Sequence, residues 1–436
     1  MEGSADAQAL ERALRERKAP TVFTDNAAAG FVLPHYRGHS LANVPATLLK
    51  ILGGKGAPGI APPLAPAYWQ PLAEGVRHIV LVVLDALGYL QLTQKLTDEP
   101  EGLWARFARQ GMLLPMTSVF PSTTATALAS LMTGAEPIAH GYLGYQVWMR
   151  EYGVLTQMLA LKPALAECQE TLLEWGLVPE RVLPVPALGS MLEDSGIATT
   201  ALVAAQYIRG ALTRISYRGF GEMLGYADVE GMWQATQQAL ERHRHERNVI
   251  LVYWGGIDSA AHAYGSGGGI WESQYQLVTE AYERHFISRL TPEMRRDTLL
   301  VMCADHGFID SPPEMAHDTD NDPIFQHELL IPFSGEARAA YLHCIAGEDN
   351  ATRQALQYTL GPNYTVKPSR EVVEAGLFGE GRPWRESLVR LGHFCVIPSG
   401  QHYLDRQELR FVLKGRHGGL NAEEMLVPWL AVRLDA

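Results

Sequence analysis

The sequence predicts an α/β protein: a mostly parallel central sheet with helices on both faces, carrying a small α/β insert. Three observations predict it. Three short apolar runs each lead into an acidic residue: 79–84 into Asp85, 249–254 into Asp258, and 299–304 into Asp305. Such β-branched runs belong to strands buried on both faces, as in a parallel sheet. From Arg77 onward, strand-like runs near 79–84, 113–120, 199–204, 249–254 and 298–303 alternate with amphipathic stretches such as 232–243. That rhythm is the signature of strands covered by crossover helices. Finally, 436 residues with 47% hydrophobic positions can enclose a large core.

Taken in chain order, residues 1–75 form a lead segment ending in the Pro/Gly-rich stretch 53–71. Its Gly53-Gly54-Lys55-Gly56 lacks the spacing and the preceding strand of a phosphate loop, so a plain loop is expected. Residues 76–338 form the core. Residues 339–410 change character, with strand-like 340–342, a helix around 352–358, strand-like 364–366, another helix and the run 393–397. They are assigned to a small insert, after which the core resumes near Leu409 and occupies 411–436.

A formal charge of -12 argues against a nucleic-acid scaffold, which carries a basic stripe. It leaves room for a small anionic ester, because a local metal cluster dominates its own surroundings. The four cysteines, Cys168, Cys303, Cys344 and Cys395, form no C-x-x-C pair, as expected of a reduced setting. The first twenty residues lack the apolar stretch of a signal peptide, and no run approaches membrane-spanning length. A soluble, cytoplasmic protein without a membrane partner is expected, its oligomeric state left open.

The three acidic strand ends carry the chemistry. Carboxylates gathered on one sheet edge repel each other and are costly to desolvate unless a cation neutralises them. Asp258 and His262 lie one helical turn apart, so a helix would present both on one face. Asp305-His306-Gly307 ends a buried strand, where Gly307 eases a sharp turn. His417 sits among glycines in Gly415-Arg416-His417-Gly418-Gly419, which lets the backbone approach closely. After Phe120-Pro121 a helix of small residues begins near Thr124. A hydroxyl there faces free N–H groups and the positive end of the helix dipole, which suits an anion or serves simply as a cap.

Together these segments resemble the alkaline phosphatase superfamily, and within it the type I phosphodiesterase/nucleotide pyrophosphatase branch. The residues that carry the resemblance are Asp85, the Thr124 helix running to Thr133-Gly134, Pro137, His140-Gly141, Asp258-Ser259-Ala260-Ala261-His262 with Tyr264-Gly265, Asp305-His306-Gly307, and His417-Gly418-Gly419 with Glu423-Glu424-Met425. They follow the family's order across about 76–430. The resemblance implies two zinc ions, with manganese the main competitor for such an Asp/His set. Asp258, His262 and His417 would hold one ion; Asp85, Asp305 and His306 would hold the other. Thr124 would be the nucleophile, chosen over Ser122, Thr123 and Thr126 by its distance from Thr133-Gly134. An asparagine that contacts phosphate in many relatives is replaced here by Tyr145, the expected substrate-binding residue.

The implied reaction is displacement at phosphorus through a phospho-threonine, with a phosphodiesterase or nucleotide pyrophosphatase as the leading reading. A phosphomonoesterase or phosphonate hydrolase of the same superfamily is the alternative, as is a partner-binding domain resembling the PglZ proteins. A sulfatase is not expected, because the Cys/Ser-x-Pro-x-Arg motif is missing around Thr124. Tyr142, Trp148, Trp254 and Tyr264 lie near the motifs, where they could stack on a base but read mainly as wall or core residues, and Arg338 could contact substrate but reads mainly as half of a surface ion pair.

Overall fold

The computed structural model describes residues 2–17, 22–23, 26–406 and 413–435. The expected return to the core near Leu409, and the first residues of the 411–436 segment, lie outside the described residues. A seven-stranded sheet forms the centre, in the order Met112–Thr117, Leu426–Arg433, Thr298–Cys303, His78–Leu84, Asn248–Trp254, Ala198–Ala204 and Glu222–Tyr226. The neighbours of His78–Leu84 pair with it in parallel, as do Ala198–Ala204 and its two neighbours. Every residue of His78–Leu84 and Thr298–Cys303 is buried, which is why these runs are apolar without alternation.

Leu426–Arg433 runs antiparallel to both of its neighbours and fills the gap between Met112–Thr117 and Thr298–Cys303. The sequence predicts only a return to the core there. Its run of Leu, Val, Trp and Ala is a signal that a composition scan for buried strands would have found. Helix Val229–Arg242 covers one face, burying Met232, Trp233 and Leu240.

A second seven-stranded sheet has the order Tyr364–Pro368, Phe394–Pro398, Ala339–Leu342, Ser334–Glu336, Gln146–Met149, Val154–Gln157 and Lys162–Pro163. It is wider than the insert expected at 339–410. Strands from the 146–163 region join it, and the 338/339 boundary falls inside the antiparallel hairpin of Ser334–Glu336 with Ala339–Leu342. The two halves meet through backbone pairing, which sequence periodicity within either half does not register. The lead segment also packs inward: Leu41, Leu48 and Leu49 of this region belong to the central core, and Ser40 bridges Thr117. Gly53 to Gly56 lie in a turn and loop after helix Val44–Ile51, with no phosphate-loop geometry. No helix among the described residues is long and apolar enough to cross a membrane.

Candidate metal centre

The strand register sets the site. Leu84 lies opposite Trp254 and Val83 opposite Cys303, so the chain leaves the three parallel strands at one edge. Asp85 follows the first strand and Asp305-His306 the third. After the second, Gly255 leads into helix Gly256–Tyr264, which carries Asp258 and, one turn later, His262. Gly415–Arg416 pairs antiparallel with Ile309–Asp310 and so delivers His417 to the same edge.

The side chains form two touching groups. His262 Nε2 lies 3.4 Å from Asp258 Oδ1 and 3.2 Å from His417 Nε2, which is itself 3.8 Å from Asp258 Oδ1. His306 Nε2 lies 3.4 Å from Asp85 Oδ1 and 3.5 Å from Asp305 Oδ2. Ligand-capable atoms of Asp258, His262 and His417 fall within 4.8 Å of one another, and so do those of Asp85, Asp258 and His306. Asp258 therefore stands between the groups. All six residues expected from the sequence come together.

The polar atoms here fit a cation. Asp85 Oδ1, Asp258 Oδ1 and Asp305 Oδ2 are buried without a hydrogen-bond partner, and these are the oxygens facing the imidazoles. Buried carboxylate oxygens left unpaired are costly. The histidines are oriented by backbone carbonyls. Nδ1 of His262 donates to Gly415 O, of His306 to Gly307 O, and of His417 to Ser122 O, at 3.0, 2.9 and 3.1 Å. A carbonyl only accepts, so each Nδ1 holds the proton and each Nε2 presents a lone pair to the site. Two such lone pairs facing each other at 3.2 Å in His262 and His417 repel unless a cation lies between them.

The electrostatics of the site agree. Burial, then Asp305 and Asp258, push Asp85 well above the usual carboxylate range. Burial also raises Asp258, against the pull of His262. His417 is held well below the ordinary histidine value by burial, then by His306 and His262. A divalent ion would reverse the upward shifts of the two aspartates and reinforce the downward shift of His417, so that all three would take the form that binds metal.

Thr124 is the first residue of helix Thr124–Leu131, whose N-cap Thr123 makes no side-chain cap bond. The Thr123 hydroxyl turns instead to Glu336. Simple capping therefore does not account for the pair of threonines. Thr124 Oγ1 lies 3.0 Å from His306 Nε2, on the rim of the second group. Ala125 and Ala129 of this helix belong to one apolar cluster with Val147 and Met149 of the second sheet. A cavity of about 10 Å³ lies between Thr124 and Leu128, Tyr142, Leu159, Leu212 and Ile215. At that size it takes one water and no organic group.

Several neighbours escaped the sequence reading. The Tyr253 hydroxyl donates to Asp85 Oδ2, although Tyr253 looks like one more residue of an apolar strand. Asp305 Oδ1 accepts from the backbone N–H of His306 at 3.0 Å and of Ala86 at 3.3 Å. Ser122 Oγ donates to Gly419 O at 2.8 Å. Glu336 Oε1 accepts the Tyr145 N–H at 2.7 Å, and burial pushes this carboxyl up to about 7 against the pull of the Thr123 and Tyr145 hydrogen bonds. Among the described residues no hydrogen bond joins the Tyr145 hydroxyl to the Asp/His cluster; its backbone is what the site's border holds. Gly307 serves close approach rather than a turn, since a Cβ there would lie 2.0 Å from Glu423 O. Arg338 is a correction: it is fully buried and paired with Glu424, not at the surface. Tyr142 is buried in the core and Tyr264 is half exposed.

A covered parallel sheet with paired carboxylate–imidazole groups at its strand exits defines a protein of the alkaline phosphatase superfamily. This chain belongs to the type I phosphodiesterase/nucleotide pyrophosphatase family, whose model matches residues 79–359, more than half of its length. Members of the family are metal-dependent phosphoric ester hydrolases. The chain is similar in fold to human ectonucleotide pyrophosphatase/phosphodiesterase 5, at a TM-score of 0.61 and 16% identity over 81% of this chain and 87% of that one. The murine counterpart gives 0.60 at the same identity, with 81% and 87% covered. Phosphonoacetate hydrolase from Sinorhizobium meliloti, solved with phosphonoformate, gives 0.59 at 16% identity, covering 81% of this chain and 89% of that one. No curated protein matches the sequence.

Proposed function

We propose that this chain hydrolyses small anionic phosphate esters as a phosphodiesterase of the nucleotide pyrophosphatase type, with Thr124 as nucleophile. The observation that carries the reading is the Thr124 hydroxyl at 3.0 Å from His306 Nε2, beside carboxylate oxygens that have no other partner. Asp258, His262 and His417 would hold one ion and Asp85, Asp305 and His306 a second; zinc suits this donor set, with manganese its competitor. When bound, a pair of divalent ions lowers the pKa of a coordinated hydroxyl and neutralises charge on the attacking and leaving oxygens.

The rest is done by the chain. Thr124 Oγ1 forms a bond to phosphorus while the bond from phosphorus to the leaving ester oxygen breaks, and the proton given up by the Thr124 hydroxyl passes through solvent to that oxygen, which departs as an alcohol. Water then adds to the phospho-threonine, and the Oγ1–phosphorus bond breaks to restore the hydroxyl. The uncapped first turn of helix Thr124–Leu131 turns backbone N–H groups and a positive dipole end toward the developing charge. The carbonyls of Gly415, Gly307 and Ser122 keep the three imidazoles in the tautomer that faces the site. Three aspartates against two divalent ions would leave a net positive site, which attracts an anionic ester without any basic surface patch.

Hydrolysis of p-nitrophenyl mono- and diesters, with and without added zinc, tests this reading. Faster turnover of the diester supports the phosphodiesterase. Preference for the monoester or for a phosphonate favours the second reading, which rests on the fold likeness to phosphonoacetate hydrolase. Complete inactivity of a fully metallated sample would sink both and favour a partner-binding role.

A further inference from the structure

The hairpin joining Ser334–Glu336 to Ala339–Leu342 places Arg338 inside the protein, where its side chain is 0% exposed. Its Nε and Nη2 donate to Oε1 and Oε2 of Glu424, both at 2.7 Å, and Nη1 donates to His402 O. Glu424 is equally buried and lies in the short helix Ala422–Met425. Its Oε1 also accepts the Gly419 N–H at 2.8 Å. Its backbone carbonyl accepts the Gly307 N–H at 2.8 Å, and the Glu423 carbonyl accepts that of Phe308 at 2.9 Å. One residue thus grips two loops: that of His417-Gly418-Gly419 by its side chain, and the strand exit after Asp305-His306 by its main chain.

The grip continues to the nucleophile. Gly419 O takes the Ser122 hydroxyl at 2.8 Å, Gly418 O takes the Ser122 N–H at 3.3 Å, and Ser122 O takes His417 Nδ1–H at 3.1 Å. A Cβ at position 419 would press on the pair, 2.9 Å from Glu424 Oε2 and 3.2 Å from Arg338 Nη2.

A buried ion pair adds little net stability over an apolar pair of the same volume. A two-bond fork does hold a carboxylate in one orientation, which apolar packing does not. We propose that the Arg338–Glu424 pair is a positioning element of the metal centre, fixing the spacing between the His417 loop and the His306 strand exit. The inference rests on the proposed metal-dependent function. It ties the second sheet to the site: Arg338 lies in a hairpin turn of that sheet and, among the described residues, pairs with Glu424 and His402 O rather than with a proposed ligand, yet sets where two of them stand.

The test uses metal-free full-length protein and cobalt(II), whose visible absorption reports coordination, with zinc competition for affinity. Glu424→Gln, Arg338→Lys and Gly419→Ala should keep the far-UV circular dichroism of the parent. Each should bind the ions about 10- to 100-fold more weakly, with an altered cobalt spectrum. Gly419→Ala perturbs the contact without changing any charge, so it carries the test if a charge variant does not fold. The apolar double variant Arg338→Met with Glu424→Met should melt near the parent in the metal-free state and still bind cobalt weakly. Folded single variants with the parent's affinity and spectrum would overturn the inference, as would a double variant that regains affinity along with stability. A parent that takes up no cobalt overturns the metal-centre reading itself, and this inference with it.

Discussion

The imidazoles of His306 and His417 lie face to face, with ring centroids 3.8 Å apart and planes 17° from parallel. One ring lies three residues past the strand Thr298–Cys303 of the central sheet and the other directly follows the short strand Gly415–Arg416. Their Nε2 atoms face different carboxylates, so the stack is the partition between the two proposed ion positions. His417→Ala should therefore lower the content from two ions to one and leave Asp85, Asp305 and His306 able to bind. Elemental analysis returning two ions per chain would remove His417 from the ligand set.

Thr124→Ala removes the proposed nucleophile and touches no carboxylate. Turnover should fall by at least about 10³-fold, with the ion content unchanged. Substantial residual activity would mean that another hydroxyl attacks.

Asp85→Asn has opposite effects with and without metal. Burial and the neighbouring aspartates raise the Asp85 pKa in the folded state, whereas the unfolded value is about 3.9. The folded state then binds more protons than the unfolded one above that pH, so this group's contribution to stability declines as pH rises. Metal-free Asp85→Asn should melt above the parent at pH 7, with the gap closing toward pH 4. Added zinc should reverse the order, because the parent gains a ligand-linked stabilisation that the variant lacks. Thermal melts at the two pH values, each with and without zinc, decide it; equal melting of the metal-free forms at pH 7 would contradict the argument.

Tyr253→Phe leaves Asp85 Oδ2 without its donor. Second contacts of this kind orient a ligand and tune its basicity, so metal affinity should fall about 10- to 100-fold. Zinc competition against a chromogenic chelator measures it. An unchanged affinity would make the hydroxyl incidental.

Chelation should abolish activity, and zinc should restore more of it than manganese. Full restoration by manganese alone would change the identity of the ion and not the site.

Much of the centre was legible in the sequence for a local reason. A strand buried on both faces must be apolar, so the aspartate that ends it stands out, as Asp85 and Asp305 do. Asp258 and His262 are equally visible because helical spacing puts them on one face. Tyr253 was not, since an aromatic residue in a buried strand looks the same whether its hydroxyl is idle or holds a ligand. Glu336 and Arg338 sit in a hairpin with no motif around them. Their burial depends on segments that approach from elsewhere in the chain, and a charged residue read without those segments defaults to the surface.

By itself the sequence determined the parallel strands of the core and the edge from which the acidic residues emerge, whereas the set of six, His417 above all, came from the resemblance to the family. The strands and the edge follow from periodicity and residue type within a few neighbours. Only the tertiary structure decided that Leu426–Arg433 enters the central sheet antiparallel, that strands from 146–163 complete the second sheet, and that Arg338 and Glu424 close over Gly419. Each of these is a pairing between distant segments, and strand order and buried charge compensation are properties of the pair rather than of either segment.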